Sequence, residues 1–234
     1  MQRFNNILCV VSPDPTDCVV LKRAVALAEN NQARLTVVDV INELPRNTNL
    51  IGHAQPLKEL RALIVAERRQ GLENRVAPWR KKIEIQTNVF IGIPFLEIIY
   101  EILRNGHDLV IKTAEKCGLL DRMFGSDDMH LLRKCPCPVW LVKPESPKKY
   151  QRILAAVDVD DYYPPEELEE RYLLNLQILE LASSLALSEF AELHVVHAWE
   201  AVAENLLRGA FRDTSEYDII AYIEALTQQY KQNL

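Results

Sequence analysis

Short apolar runs recur along the chain, separated by amphipathic stretches. Ile7–Val11 (ILCVV) and Leu35–Val40 (LTVVDV) are continuous apolar runs, as expected of strands buried on both faces. Leu109–Ile111 and Val139–Val142 read the same way. Ile83, Ile85, Thr87 and Val89 alternate with charged or polar residues, which predicts a half-exposed strand at a sheet edge. Between these runs the period changes to that of a helix. Val20, Leu21, Ala24, Leu27 and Ala28 form one stripe, behind a Ser12-Pro13-Asp14-Pro15 stop and with Asp17 as its expected N-cap. A loop is expected over 41–55. A helical pattern runs from Pro56 to Lys81 and weakens at Gly71 and Pro78. Phe95–Arg104 forms another helix, ended by Asn105-Gly106, and Ser126–Arg133 a short fourth one. Residues 1–145 therefore read β-α-β-α-β-α-β-α-β, the order of a doubly wound, five-stranded parallel sheet.

The opening pattern then returns. Arg152–Asp158 (RILAAVD) echoes Asn6–Ser12 (NILCVVS), and Leu193–His197 (LHVVH) echoes Leu35–Asp39 (LTVVD). Ile153 follows Ile7 by 146 residues and Leu193 follows Leu35 by 158, so the second copy carries 12 extra residues between its strands. Asp160–Glu170 is the expected extra piece. Internal duplication divides the chain into a complete domain, 1–145, and a partial second copy, 146–234, holding the first two strands and helices only. The second copy's last element is a helical run over Tyr217–Tyr230.

Composition narrows the function. The 234 residues are 48% apolar, with a net charge of −6 and no basic face evident beyond Arg80-Lys81-Lys82 and Lys148-Lys149. That balance argues against a nucleic-acid surface. The chain contains no apolar run of the ~18 residues that a membrane span needs. Met1–Val11 lacks the layout of a signal peptide, and the five cysteines sit mostly in apolar segments. A cytoplasmic protein with no membrane partner is expected.

The residues Ile7–Val11, Ala24–Val40, Leu109–Thr113, Gly125-Ser126 and His130–Val139 (HLLRKCPCPV) together resemble the universal stress proteins, specifically the tandem E type. The resemblance implies an adenine nucleotide alpha hydrolase-like, Rossmann-like fold. It also implies a phosphate loop of the form Gly-x-x-Gly, nine residues, Gly-Ser/Thr, in which glycines admit the phosphates and a helix N-terminus faces them. Gly125-Ser126 matches the end of that loop. The two earlier glycines are replaced by Lys112 and Glu115, and the acid that adenine-binding members carry at the end of strand one is Ser12. Asp158 keeps an acid at the matching place of the second copy. Gly125, Ser126, Ser12 and Val40 are the candidate nucleotide-loop positions.

The degraded motif predicts a non-catalytic stress-response protein with no cofactor, acting through dimerisation and through a protein or apolar small-molecule partner. The alternative is an ATP- or ADP-binding member with at most slow ATPase activity. Phe90, Ile91, Ile93, Phe95, Leu96, Ile98 and Ile99 either belong to the helix–sheet core or line an apolar pocket. Family members pair through their last strand, so Val139–Val142 is the expected homodimer edge. Cys135, Cys137 and His130 lack a metal-site spacing, and Cys117 is a loop thiol. His194 and His197, three apart on a strand, point to opposite faces. Asp160-Asp161 and Glu166–Glu170 read as solvated acids, so no metal site is expected.

Overall fold

The computed structural model describes residues 4–14, 17–43, 57–115, 126–147, 149–201 and 215–234. Most of the loop expected over 41–55, and Cys117 and Gly125, lie outside the described residues. The chain divides into two compact units, one ending at Ser146 and one beginning at Pro147.

The first unit runs β1 (Asn6–Val10), α1 (Cys18–Asn31), β2 (Arg34–Ile41), α2 (Leu57–Val76), β3 (Ile85–Ile91), α3 (Pro94–Asn105), β4 (Leu109–Thr113), α4 (Asp127–Lys134) and β5 (Val139–Val142). All neighbouring strands are parallel, in the order β3-β2-β1-β4-β5. The fold expected from the alternating runs is the one observed. β1 is central and buried along its whole length, and β3 forms one edge, as its alternating polarity requires.

Successive side chains of β1 feed opposite faces of the sheet. Ile7, Cys9 and Val11 join Val20, Leu21, Ala24 and Val25 of α1 and Leu72 and Val76 of α2. Leu8 and Val10 join Ile98 and Ile102 of α3 and Leu131 of α4. Two separate cores thus share one central strand. Each fully buried aliphatic side chain contributes about 1.5–3 kcal/mol.

Local chemistry closes the elements. Gly106 caps α3 in the left-handed conformation, with φ of 65° and its N–H on the Ile102 carbonyl, where a β-carbon would be strained. α2 stops at Val76, short of the Lys81 expected from the pattern, because Pro78 lacks the N–H that a further turn needs.

The second unit contains β6 (Arg152–Ala156), α5 (Pro165–Glu189), β7 (Glu192–Val196) and α6 (Glu216–Asn233). β6 and β7 pair in parallel with Ile153 opposite Leu193, the same register as Ile7 opposite Leu35 in the first unit. α5 has 25 residues against 14 in α1, so the extra sequence lengthens the helix more than the loop before it. Among the described residues, no helix is long and apolar enough to cross a membrane.

Candidate functional site

The sheet's strand order reverses between β1 and β4, and open α/β sheets bind ligands beyond the strand ends at such a point. A cavity of about 340 Å³ opens there. Its apolar wall is Val10, Val40, Phe95, Ile98 and Leu131, and its polar rim is Ser12, Asp14, Asp17, Lys112, Thr113, Glu115 and Asp127. Of the positions expected from sequence, Ser12 and Val40 line this cavity. Ser126 sits just behind it as the N-cap of α4, its hydroxyl accepting from the Met129 N–H at 3.3 Å.

The rim is wired internally. Lys112, the penultimate residue of β4, stands at the first missing glycine, and its ammonium bonds the Asp128 carboxylate and lies 3.4 Å from Glu115 Oε1. The other Asp128 oxygen accepts the Glu115 N–H at 2.8 Å. Asp128 is buried and lies in the first turn of α4, so it also answers the positive end of that helix. The backbone N–H and the helix N-terminus that would receive an anion therefore already face a carboxylate. Among the described residues, four acids and one lysine line the cavity, and that lysine is already paired.

Asp17 has a different role from the one its sequence position implies. It stands at the N-cap of α1, but its side chain caps nothing. Its buried carboxylate instead bridges two strand ends, accepting from the Ser12 N–H just past β1 and the Thr113 hydroxyl on β4. Arg75 of α2 donates to the Ser12 and Asp14 carbonyls and pins the same loop from outside. The Ser12 backbone thus has both its polar groups engaged. Sequence reading missed this bridge. Its available signal was an acid six residues past the buried run Ile7–Val11, behind two prolines, where loop bonding competes with capping.

The apolar segment after β3 divides. Phe95 and Ile98 face the cavity, Phe90 and Ile99 pack on the α3-side core, and Ile93 is exposed. Phe95 stacks on His130, with ring centroids 4.9 Å apart. Cys135 and Cys137 bring their sulfurs to 3.7 Å. The Cys137 thiol donating to Cys135 lowers the Cys135 pKa to about 7.

This geometry defines a doubly wound α/β domain with a ligand cavity at its topological switch point. The universal stress protein family model matches residues 3–143, and the chain belongs to that family. It is 27% identical to universal stress protein E of Escherichia coli K12 over 234 residues, covering 98% of this chain and 71% of that protein. It is also 27% identical to universal stress protein E of Photorhabdus laumondii, over 88% of this chain and 66% of the relative. The chain thus spans about two thirds of the length of these curated relatives. A solved protein of unknown function from Pseudomonas aeruginosa PAO1 superposes with a TM-score of 0.59 at 24% identity, over 98% of this chain and 70% of that one, a likeness of fold.

Proposed function

We propose that this chain is a non-catalytic universal stress protein whose first-unit cavity takes an uncharged, largely apolar small molecule in place of a nucleotide. The observation that carries this reading is the Lys112–Asp128–Glu115 cluster, which sets carboxylates where a phosphate loop offers backbone N–H groups. A triphosphate entering the cavity meets Asp14, Asp17, Glu115 and Asp127, with no unpaired cation among the described residues of the rim. Like charges at such range are repelled by several kcal/mol where water is partly excluded, on the order of 332/(εr) with ε of about 20. The wall formed by Val10, Val40, Phe95, Ile98 and Leu131 suits an apolar group.

The protein works in this reading as a homodimer in the cytoplasm. β5 is an edge of the sheet, bonded to β4 alone within it, and Val139, Trp140 and Leu141 are half-buried. Pairing β5 with its copy across a two-fold axis covers that edge. Among the described residues, Cys9, Cys18, Cys135 and Cys137 form no disulfide, in keeping with a reducing compartment.

The test is mass spectrometry of small molecules released by denaturing freshly purified protein, with calorimetric titration of ATP. A neutral apolar ligand and no measurable ATP heat are expected. Near-stoichiometric ATP or ADP overturns the reading in favour of a nucleotide-binding member. For assembly, light scattering is expected to give twice the chain mass, and a monomer unchanged by concentration rejects the dimer.

A further inference from the structure

The second unit holds a polar cluster outside the cavity described above. Asp158 and Asp160 follow β6, and His197 follows β7 directly. One candidate ligand atom from each of the three lies within 4.8 Å of the others. The His197 side chain is 95% buried, with only 5% of its surface exposed, and its Nε2 has no hydrogen-bond partner. It faces Asp160 Oδ1, which is also buried and unbonded, across 3.6 Å.

His197 Nδ1 lies 3.1 Å from the Val157 carbonyl and 3.5 Å from the Val159 N–H that points at it. With the ring hydrogen on Nδ1, toward the carbonyl, the lone pair of Nε2 turns toward a carboxylate oxygen. In that tautomer two acceptors are buried face to face, and a cation between them satisfies both. A tetrahedral ion with bonds of about 2.0–2.2 Å to nitrogen and oxygen places those atoms about 3.4 Å apart, close to the gap observed. The Val157 carbonyl orients the imidazole, the kind of support that positions a metal ligand. Arg171 bonds one oxygen of Asp158, and the other accepts the Asp160 N–H at 3.2 Å, leaving that second oxygen a free lone pair. Arg171 offsets one of the two carboxylate charges, so a divalent ion is not over-neutralised.

We propose that Asp158, Asp160 and His197 form a binding site for a divalent transition-metal ion of the zinc class, with solvent completing its coordination. One imidazole and two carboxylates select such an ion over magnesium or calcium, which take oxygen ligands.

The test uses the full chain, stripped with chelator and titrated with Zn²⁺ by calorimetry, with Co²⁺ as a visible-absorption probe. Trp199 supplies a third readout, because it stacks on Tyr230, whose ring lies tilted against His197 with centroids 5.0 Å apart. One equivalent of Zn²⁺ is expected, with a change in tryptophan emission and Co²⁺ bands of low coordination number. Asp160→Asn and His197→Gln should each weaken binding at least about tenfold, while Cys135→Ser/Cys137→Ser leaves it unchanged. If His197→Gln fails to fold, Asp160→Asn, a change that keeps the side chain's shape, carries the comparison. Absence of uptake overturns the proposal, as does uptake lost only in the cysteine variant. Nitrogen NMR showing a doubly protonated His197 that zinc does not displace also overturns it, since a proton then fills the gap.

Discussion

β1 and β6 begin from nearly the same sequence and end in different environments. Asn6–Val10 is buried throughout, whereas Arg152–Ala156 buries only Ala155 fully. Each pairs with its own second strand in the same register. β1 also has β4 on its other side and helices on both faces, while β6 has β7 alone as a sheet neighbour. The local pattern therefore sets the pairing, and the number of neighbouring elements sets the burial. The strand ends differ in the same way. In the first unit Asp17 ties Ser12 to Thr113 across two strands. In the second, Asp158 is held by Arg171 and Asn175 from the single helix that follows.

Matched truncations give the sharpest separation of the two. Leu8 is fully buried and its counterpart Leu154 is 66% exposed. Leu8→Ala should destabilise the first unit by about 3–4 kcal/mol through a cavity at the sheet centre. Leu154→Ala should stay within about 0.5 kcal/mol. Urea unfolding followed by unit-specific hydrogen exchange checks both, and equal losses break the comparison.

That pair also marks how much the sequence revealed. ILCVV and ILAAV both read as strands, and both are strands. Nothing in either run states how many neighbours it acquires, because burial is decided by elements far away in the chain. The same holds for the site. Ser12 and Val40 were legible from the resemblance, and the loss of glycines at Lys112 and Glu115 was legible from spacing. The partner that neutralises Lys112 was not, since Asp128 reads equally well as a helix-dipole acid. Asp17 reads as a cap and acts as a cross-strand bridge. His197 reads as a strand histidine, and only the pairing of β6 with β7 brings it to Asp160.

Removing the lysine should cost less than removing Leu8. Lys112→Met leaves Asp128, whose side chain is 7% exposed, without its counter-charge. A loss of about 2 kcal/mol is expected, below that of a fully buried pair because the lysine end reaches the cavity rim. Chemical unfolding at neutral pH measures it. Lys112→Met/Asp128→Leu should recover most of the loss, and no recovery means the pair is not the reason for it.

The two buried histidines contrast in the same manner. His107 lies 3.8 Å from the buried Glu101, and neither of its ring nitrogens has a hydrogen-bond partner. Burial holds its pKa below the ordinary histidine range, against the pull of Glu101. The unfolded chain therefore binds a proton more readily than the folded one. The stability this gives is present above pH ~6.5 and falls as pH drops from there toward the folded value. Unfolding midpoints at pH 7.5 and 5.5 should differ more in the native chain than in His107→Gln. His107 lies in the first unit, so hydrogen exchange should locate the acid-labile part there rather than around His197.

The smallest expected difference concerns helix starts, where the two units use the same device. Ser126 caps α4 and Ser215 caps α6, each hydroxyl accepting the N–H three residues on, at 3.3 and 3.2 Å. Ser126 is buried, so Ser126→Ala strands the Met129 N–H with little water to replace the hydroxyl. The loss should be about 1 kcal/mol. At the exposed Ser215, water replaces the hydroxyl, and Ser215→Ala should cost about 0.5 kcal/mol. The same substitution thus repeats at a helix cap the test made with leucine in the strands. If the two serine variants lose equal stability while Leu8→Ala and Leu154→Ala differ, solvent access separates the units only through their apolar cores. If both pairs differ in the same sense, the exposure of the second unit weakens its polar contacts as well.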